Sequence, residues 1–332
     1  MAATAAQQTN GKTYMPTMFN LDIERLIRDW EKPYEWHVER QTYLGASEVG
    51  KVLRLDNPEY GNPVTVWQEK TAPEPIIKPM NDAMLMGLIQ EEVVARMFAH
   101  STGLKIQRKN ESDVSKAYSW LRASRDRMIV GTPKGPGVLE CKTTNGFYKN
   151  TWQNEVPLSY YAQHQIQMHC SGHHWGAIAL MTDGRNFEIF WYELDQEFVD
   201  AILPPLAHFW NHNVMKKIAP EPQTSEEVVE LYPTSNGFTL DVPADSEAAK
   251  TIDNLLQVKD TLKELEEQKK TLEEQIKILL GPNEVLTVDG EKAVTWKSNK
   301  TSRIDVKRLR NELPELAERY LNVTDQRRFL VK

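Results

Sequence analysis

The sequence contains few cysteines, no long apolar segment and no excess of positive charge. Only Cys141 and Cys170 occur among its 332 residues, too few for a disulfide framework or a four-thiolate iron–sulfur cluster. No apolar run approaches the roughly 20 residues of a membrane helix, and the N-terminal segment MAATAAQQTNGKTYMP lacks a secretory signal pattern. We therefore expect a cytoplasmic protein. Because the net charge is −7, any contact with DNA must be local.

The composition is that of a large folded domain with an appendage: 40% of the residues are hydrophobic and 26% are charged. Residues 1–20 are small and polar, and we expect them to be disordered. Alternating helical and strand-like patterns over 21–222 predict a mixed α/β domain. A helical arm at 245–280 and a small α+β element at 281–332 are predicted to follow it.

Local patterns place the elements of the first domain. Ser47 is predicted to be the N-cap of a short helix, and Gly103 is predicted to end a long one. Another helix begins after Pro157 and leads into two strands joined by an Asp-Gly turn, and a last helix spans 195–217. Strand-like segments are predicted at 104–109, 120–123, 128–131 and 138–142.

The arm has the apolar spacing of a coiled coil. Apolar residues recur at intervals of three and four among Lys and Glu, and Lys269 occupies one of the register positions. The pattern predicts a short coiled coil or a helical hairpin, followed by a β-hairpin turning at Asp289–Gly290 and a final helix over 305–321. The apolar positions are Leu255, Val258, Leu262, Leu265, Leu272, Ile276 and Leu279.

An acid and a lysine alternate on a strand that otherwise reads as buried, GVLECKTT. A period of two puts Glu140 and Lys142 on one face and the Cys141 side chain on the other. Buried charges are costly unless they are paired or hold a cation. With Asp126 upstream, this D…ExK pattern can offer two carboxylates and a main-chain carbonyl to Mg²⁺, with Lys142 beside the reacting water. A structural ion pair is the alternative, and from the motif alone it is the more frequent one.

Three further features agree with phosphodiester chemistry. Glu91 can face the sheet from the long helix, although Glu92 is a rival choice. Gln163, on a glutamine-rich helix face, can bind water or a phosphate oxygen. Arg40 and Ser47 are seven residues apart, so that a guanidinium and a helix N-terminus can converge on a terminal phosphate. Each feature alone also has a purely structural explanation.

The ordered series GASEVGKVL, MGLIQEEVVARMF, RASRDRMIV, GVLECKTT and VPLSYYAQHQIQMHCSG resembles the YqaJ viral recombinase family, relatives of the phage lambda exonuclease in the PD-(D/E)xK nuclease superfamily. The resemblance covers about residues 35–215 and rests on the combination of motifs. It implies a restriction-endonuclease-like core in which helices flank a central mixed sheet. It also implies a Mg²⁺-dependent enzyme, with Mn²⁺ as an alternative, that degrades duplex DNA from 5′ ends and leaves 3′ single strands.

The resemblance also implies roles for particular residues. Asp126 and Glu140 are expected to be metal ligands with the Cys141 carbonyl, and Lys142 to be the catalytic lysine. We further expect a homo-oligomer, a ring trimer by resemblance, a single-strand annealing protein as partner, and a phage or prophage origin in a bacterial host. The remaining expected site residues are Glu91 as an additional acid, Gln163 as the site glutamine, and Arg40 and Ser47 as holders of the 5′-phosphate.

The chain departs from the family pattern around Asp126. The family has Ser-Pro-Asp-Gly where this chain has Ser-Arg-Asp-Arg, and the segment leading to Glu140 is longer and contains prolines. Arg122, Arg125 and Arg127 concentrate positive charge here, and we expect them to form a local DNA-binding footprint. Ordinary strand-edge charge is the alternative.

Other functions fit parts of the sequence. A zinc site is possible on composition, but its ligands would all come from one short segment. A non-catalytic DNA-binding or assembly module would use the arm and the basic C-terminal tail, yet it would not need the acids and the lysine together. A sequence-specific endonuclease could use the same core, but it would not need to grip a strand end. The zinc candidates are His164, His169, Cys170, His173 and His174.

Overall fold

The computed structural model describes residues 32–56, 60–146, 152, 155–323 and 327–331. The predicted disorder of residues 1–20 lies outside this part of the chain. The chain forms two compact units, Met1–Glu230 and Leu231–Lys332. Among the described residues, no helix is both long enough and apolar enough to span a bilayer.

The first unit alternates helices and strands, which confirms the mixed α/β class. Its helices are α1 (Tyr34–Gln41), α2 (Val49–Val52), α3 (Pro63–Thr71), α4 (Asp82–Thr102), α5 (Leu158–Ser171), α6 (Gln196–His208) and α7 (Ser225–Leu231). Its strands are β1 (Leu44–Gly45), β2 (Lys105–Gln107), β3 (Asp113–Val114), β4 (Leu121–Ala123), β5 (Arg127–Val130), β6 (Gly137–Thr144), β7 (Trp175–Thr182) and β8 (Asn186–Glu193).

A mixed five-stranded sheet in the order β2-β5-β6-β7-β8 forms the centre of this unit. Strands β6 and β7 are parallel, because helix α5 connects them as a crossover. The other neighbours are antiparallel. A smaller sheet has the order β1-β4-β3. The sequence patterns missed β1 and β3, since two residues are too few to show an alternation.

A long helix covers each face of the central sheet. On one face, Phe98 of α4 packs against Leu139 of β6. On the other, Tyr160 of α5 packs with Leu180 of β7. Strand β6 therefore lies between α4 and α5, and its alternating side chains point to one helix or the other.

Helix α4 begins and ends where its capping residues predict. Asn81 accepts a hydrogen bond from the Met84 N–H at the start. At the end, Gly103 has φ 71°, and its N–H donates to the Ala99 carbonyl. Glycine adopts this left-handed conformation without the steric cost that a Cβ brings. The helix can therefore stop only two residues before β2.

The prediction that Ser47 caps a helix is wrong. Ser47 is exposed inside a 3₁₀ turn, Ala46–Glu48, whose N-cap is Gly45. The Glu48 carboxylate performs the capping, because its Oε2 accepts the Gly45 N–H at 2.7 Å. Helix α2 then begins directly from the 3₁₀ turn.

The second unit is built around a long helix. Helix α8 (Glu247–Leu280) is continuous, so the alternative of a helical hairpin is wrong, and the coiled coil stays a prediction. Strands β9 (Val285–Val288) and β10 (Glu291–Thr295) form the predicted hairpin. The single final helix is wrong: α9 (Val306–Glu312) and α10 (Pro314–Arg319) are separate, because proline lacks the N–H and restricts the residue before it.

Candidate active site

Glu140 and Lys142 lie on the same face of β6, turned toward α5. Lys142 Nζ is 2.8 Å from Glu140 Oε1. Gln163 of α5 joins them: its Nε2 donates to Glu140 Oε1 at 2.6 Å, and its Oε1 accepts from Lys142 Nζ at 3.0 Å. The three side chains form a closed hydrogen-bonded triangle. Tyr160 covers it, with its ring centroid 4.5 Å from Lys142 Nζ.

Gln167 also holds Glu140, and the sequence analysis missed it. Its Nε2 donates to Glu140 Oε2 at 2.7 Å and to the Ser124 carbonyl at 2.8 Å. Gln167 lies one helical turn after Gln163, so the i, i+4 spacing on the same helix was the signal that could have revealed it. Both oxygens of Glu140 are therefore fixed in direction by the two glutamines.

Lys142 is held as a cation. Burial disfavours the ammonium, but the Glu140 carboxylate beside it raises the pKa of Lys142 above its ordinary value. The Cys141 side chain points to the opposite face and packs with the apolar cluster against α4. Burial raises the pKa of the Cys141 thiol well above its usual value. Cys141 is thus a core side chain, as predicted from the alternation.

Asp126 lies immediately before β5 and is attached to the middle of β6. Its Oδ2 accepts the Cys141 N–H at 2.7 Å. Burial, followed by the negative charges of Glu140 and Glu91, raises the pKa of Asp126 well above its ordinary value. Three acidic groups therefore repel one another beside the middle of β6, in a place where a cation would lower the electrostatic energy.

The structure distinguishes Glu91 from Glu92. Both carboxylates contact Arg127, Glu91 at 2.7 Å from Nη1 and Glu92 at Nη2. Glu91 also lies among the groups that act on Asp126 and lines the same cavity. Glu92 instead pairs with Arg96 at 2.7 Å, one turn further along α4. Glu91 is therefore the acid on the side of the candidate site.

The oxygen chemistry of this cluster suits Mg²⁺. Within the described part of the chain, no three His, Cys, Asp or Glu side chains gather closely enough to hold a metal by themselves. The predicted ligand set requires only two such side chains, Asp126 and Glu140, together with the Cys141 carbonyl. Carboxylate and carbonyl oxygens are the ligands that Mg²⁺ takes in proteins, and it usually keeps several waters. The residues present fit the ion.

The histidines of α5 and its C-terminal end do not converge on zinc. Among the described side chains, no three potential metal ligands lie together there. His164 Nδ1 is 3.4 Å from Gln167 Oε1, whereas His169 Nε2 is 3.1 Å from Ser115 Oγ. These residues point to different neighbours because successive helical positions face different directions. Burial lowers the pKa of His164 to about 4, so this imidazole is neutral.

Arg40 belongs to a second buried cluster, formed by α1, α3 and the 3₁₀ turn. Its Nη2 is 3.0 Å from Glu48 Oε2, and Lys70 Nζ is 2.9 Å from Glu48 Oε1. The guanidinium lies directly on Gly45, where a Cβ would be 2.4 Å from Arg40 Nη1. Glu48 and Lys70 were not predicted, since their chain positions carry no pattern that connects them. Ser47 is exposed nearby.

Burial and mutual attraction act in opposite directions on the charges of this cluster. Burial opposes the charge of Glu48, but Arg40 and Lys70 lower the pKa of that carboxyl below its usual value. Burial lowers the pKa of Lys70 to about 8 despite its contact with Glu48. The Arg40 guanidinium also lies 4.9 Å from the Tyr43 ring centroid. The guanidinium is thus fixed in place while 22% of its side chain stays accessible.

Arg122, Arg125 and Arg127 were expected to form a local DNA-binding surface, but two of the three are buried. Arg125 is buried and lies 2.6 Å from Asp113, and Arg127 is buried between Glu91 and Glu92. Both are paired because isolated buried charges are costly. Arg122 is partly exposed, contacts Glu39 at 2.7 Å and lies 4.5 Å from the Tyr43 ring centroid. A direct DNA contact is therefore retained as a proposal for Arg122 alone.

One cavity connects the two clusters. It has a volume of about 720 Å³ and includes Asp126 and Glu91 at the sheet and Arg40 and Lys70 at the other cluster. Its lining also includes the basic residues Lys78, Arg108 and Lys109, and the acid Glu69, which pairs with Lys78. An anionic chain in this cavity would meet positive charge along its path, although the net charge of the protein is negative.

Comparison with known proteins now defines the class. The model of the YqaJ-like viral recombinase domain matches residues 35–174. The YqaJ protein of Bacillus subtilis (strain 168) is 30% identical over 306 residues, which covers 90% of this chain and 93% of that protein. The chain belongs to the YqaJ-like viral recombinase family, as its motifs predicted.

Solved structures to which this chain is similar include an alkaline exonuclease from Laribacter hongkongensis, LHK-Exo. The alignment has 20% identity and a TM-score of 0.47, and it covers 56% of this chain and 94% of that chain. The crystal structure of LHK-Exo in complex with dAMP gives the same values.

Gln167→Leu tests whether Gln167 positions the site carboxylate. We expect DNA cleavage to fall about 10- to 100-fold, the usual cost of losing a group that orients a metal ligand, while DNA binding stays unchanged. The measurement is the single-turnover cleavage rate at saturating protein. The matched control is Gln165→Leu on the same helix, because Gln165 is equally buried but bonds to Glu193 and Asp195. Equal losses in both variants would indicate a general loss of stability.

Proposed function

We propose that this protein is a Mg²⁺-dependent 5′→3′ exonuclease. Its substrate would be linear duplex DNA, and its products 5′-mononucleotides and a 3′ single-stranded overhang for phage-type homologous recombination. The observation that carries the proposal is the meeting of Asp126, Glu140 and Lys142 beside the middle of β6, in a member of the YqaJ-like family. An ion pair with a purely structural role would not require Asp126 and Glu91 beside it.

The side chains divide the work of hydrolysis among them. Asp126 and Glu140 would hold Mg²⁺ with the Cys141 carbonyl, and the ion would act as a Lewis acid toward the phosphate and its attacking water. Lys142, as an ammonium group, orients that water and offsets charge on the phosphate. Gln163 and Gln167 keep the carboxylate of Glu140 in a single orientation.

The choice of strand end is assigned to the cluster at Arg40. A terminal 5′-phosphate carries more negative charge than an internal phosphodiester, and a fixed guanidinium binds it with charge-assisted hydrogen bonds. The exposed Ser47 hydroxyl would supply a further donor. Because the same cavity reaches Asp126, a strand held by its 5′ end can extend toward the acidic residues. This arrangement favours release of nucleotides from the 5′ end.

The assembly and partners are proposed from the family resemblance. A ring-shaped trimer would enclose the duplex and keep the enzyme on it between successive cuts. A single-strand annealing protein would receive the overhang as it appears. These proposals rest on family membership and on no contact within the chain.

The proposal is tested by nucleotide release from linear duplex DNA with either 5′-phosphate or 5′-hydroxyl ends. We expect acid-soluble 5′-mononucleotides with Mg²⁺ and none with EDTA, and we expect faster release from phosphorylated ends. Mn²⁺ should restore activity after chelation. Cleavage of covalently closed circular DNA would instead identify an endonuclease. DNA binding without hydrolysis in Mg²⁺ or Mn²⁺ would support a non-catalytic module.

Arg40→Gln tests the end-binding cluster. We expect the preference for 5′-phosphate over 5′-hydroxyl ends to fall about tenfold or more, because a charge-assisted contact contributes about 1.5–3 kcal/mol. Initial rates on the two substrates measure this preference. Arg185→Gln is the control, since Arg185 lies in the exposed β7–β8 turn. An unchanged preference in Arg40→Gln would remove Arg40 from the phosphate site without affecting the assignment of the acids.

A further inference from the structure

Helix α8 exposes an apolar stripe that no other described part of its unit covers. The helix has 34 residues, which corresponds to about 50 Å in length. Leucines in the middle of the stripe are half exposed, for example 53% for Leu262 and 59% for Leu272. An exposed apolar stripe on a helix is typical of a helix that packs against another helix.

The stripe has an uninterrupted heptad register. Its members occupy alternating a and d positions through four heptads, and the only charged residue among them is Lys269. Strict spacing of this kind favours a two-helix seam over burial against a sheet, which needs a broader apolar face. The a positions are Leu255, Leu262, Lys269 and Ile276, and the d positions are Val258, Leu265, Leu272 and Leu279.

Lys269 determines the direction of the partner helix. In a parallel, in-register pair of identical helices, each a residue faces its own copy, so that two Lys269 ammonium groups would meet in the seam. In an antiparallel pair, a residues face d residues, and Lys269 faces the partner's Leu265. The same register pairs Leu262 with the partner's Leu272 and leaves no apolar layer unmatched. Like charges are thereby kept out of the core.

The flanking charges agree with the antiparallel direction. The g positions from Asn254 to Gln275 carry no charge, so the g-to-e contacts of a parallel pair would contain no ion pair. An antiparallel pair brings the e positions of the two helices together. Lys259 of each copy then lies opposite Glu273 of the other, which gives two equivalent ion pairs. Two Glu266 side chains would meet at the twofold axis, but Lys269 lies beside them there. In the single chain, Lys259 Nζ donates to the Val331 carbonyl at 3.1 Å, an exposed contact that this pairing would replace.

We propose that two copies of this chain associate through α8 as a two-stranded antiparallel coiled coil. The occupant of the stripe is therefore a second copy, and not the annealing protein or DNA. This contact is separate from any ring, because a twofold pairing of helices does not close a threefold ring. The proposal does not depend on the nuclease assignment, since it uses residues of the second unit only.

The association is tested with the full chain by sedimentation equilibrium. Leu265→Glu should weaken self-association about tenfold or more, because it places an unpaired carboxylate in the seam. Ile278→Glu is the matched control, since Ile278 is 81% exposed and lies outside the a and d positions. A monomeric wild-type chain, or an oligomer that Leu265→Glu leaves unchanged, would overturn the proposal. Nuclease activity of the Leu265→Glu variant would verify that the first unit is folded.

The direction is tested by disulfide cross-linking of full-length chains. Mixing Leu262→Cys chains with Leu272→Cys chains should give a cross-linked heterodimer under mild oxidation, while neither variant alone should cross-link. Efficient linking of Leu262→Cys to itself would show a parallel pair and overturn the proposed direction. The unsubstituted chain controls for Cys141 and Cys170. Lys259→Glu should weaken association, and the double variant Lys259→Glu/Glu273→Lys should restore it.

Discussion

Replacing Glu140 with glutamine should lower nucleotide release from linear duplex DNA by at least about 100-fold, within the range over which a positioned ionisable group contributes to catalysis. The substitution keeps the size of the side chain but removes its negative charge. Mg²⁺ would then lose one of its two carboxylates, and Lys142 would lose the counter-ion that is 2.8 Å away. Rates should be measured in single turnover over a range of Mg²⁺ concentrations, since weaker metal binding is part of the expected loss.

The matched control for this variant is Glu188→Gln. Glu188 lies on β8 of the same sheet and is exposed, so that the same chemical change there leaves the cluster intact. Circular dichroism and thermal unfolding should show that Glu140→Gln remains folded, because relief of the repulsion with Asp126 offsets part of the lost ion pair. Normal turnover in a folded Glu140→Gln protein would refute the metal-ligand assignment.

Replacing Lys142 with methionine should lower the cleavage rate about 100- to 1,000-fold, the usual cost of removing one group that stabilises transition-state charge. Methionine keeps an unbranched chain of similar length, so the packing against Tyr160 should survive. DNA binding should change little, since Lys142 acts on the reacting phosphate and its water. Binding is measured in Ca²⁺ or without metal, and chemistry is measured by rapid quench after adding Mg²⁺.

Lys134→Met is the control for this change, because Lys134 lies in the β5–β6 connection with 68% of its side chain exposed. A Lys142→Met variant that binds and cleaves like the wild type would make Glu140 and Lys142 a structural ion pair. A structural ion pair is also the more frequent explanation of this motif when it is considered alone. Loss of binding together with chemistry would instead place Lys142 in the DNA-holding surface.

The local sequence determined the elements that carry the candidate site. Alternation on β6 correctly separated Glu140 and Lys142 from Cys141, because neighbouring residues of a strand point to opposite faces whatever surrounds them. Gly103 ended α4 for a similarly local reason, the backbone conformation that glycine permits. The ordered motifs also identified the family. These features depend only on the residue types and on their spacing along the chain, and both can be read directly from the sequence.

Only the tertiary structure decided which side chains meet. Arg125 and Arg127 read as free basic residues in the sequence, but Asp113, Glu91 and Glu92 neutralise them. Those partners lie on other elements, and no local pattern encodes the approach of one element to another. The choice between Glu91 and Glu92 likewise depends on how α4 is rotated against β5, since adjacent helical residues point about 100° apart.

The partners of the residues that support the site also could not be read from local sequence patterns. Ser47 had the residue type of a helix cap, yet Glu48 caps the turn because Arg40 and Lys70 hold its carboxylate there. The sequence places Gln167 one helical turn after Gln163. Its hydrogen bond to Glu140 depends on α5 packing across β6 next to Glu140, which the sequence does not show. The sequence by itself determined the longer helices and strands and which reactive side chains are present. The packing of α4 and α5 on the sheet determined which members of that inventory share one site, because ion pairs and hydrogen bonds form only where the fold brings their partners within about 3 Å.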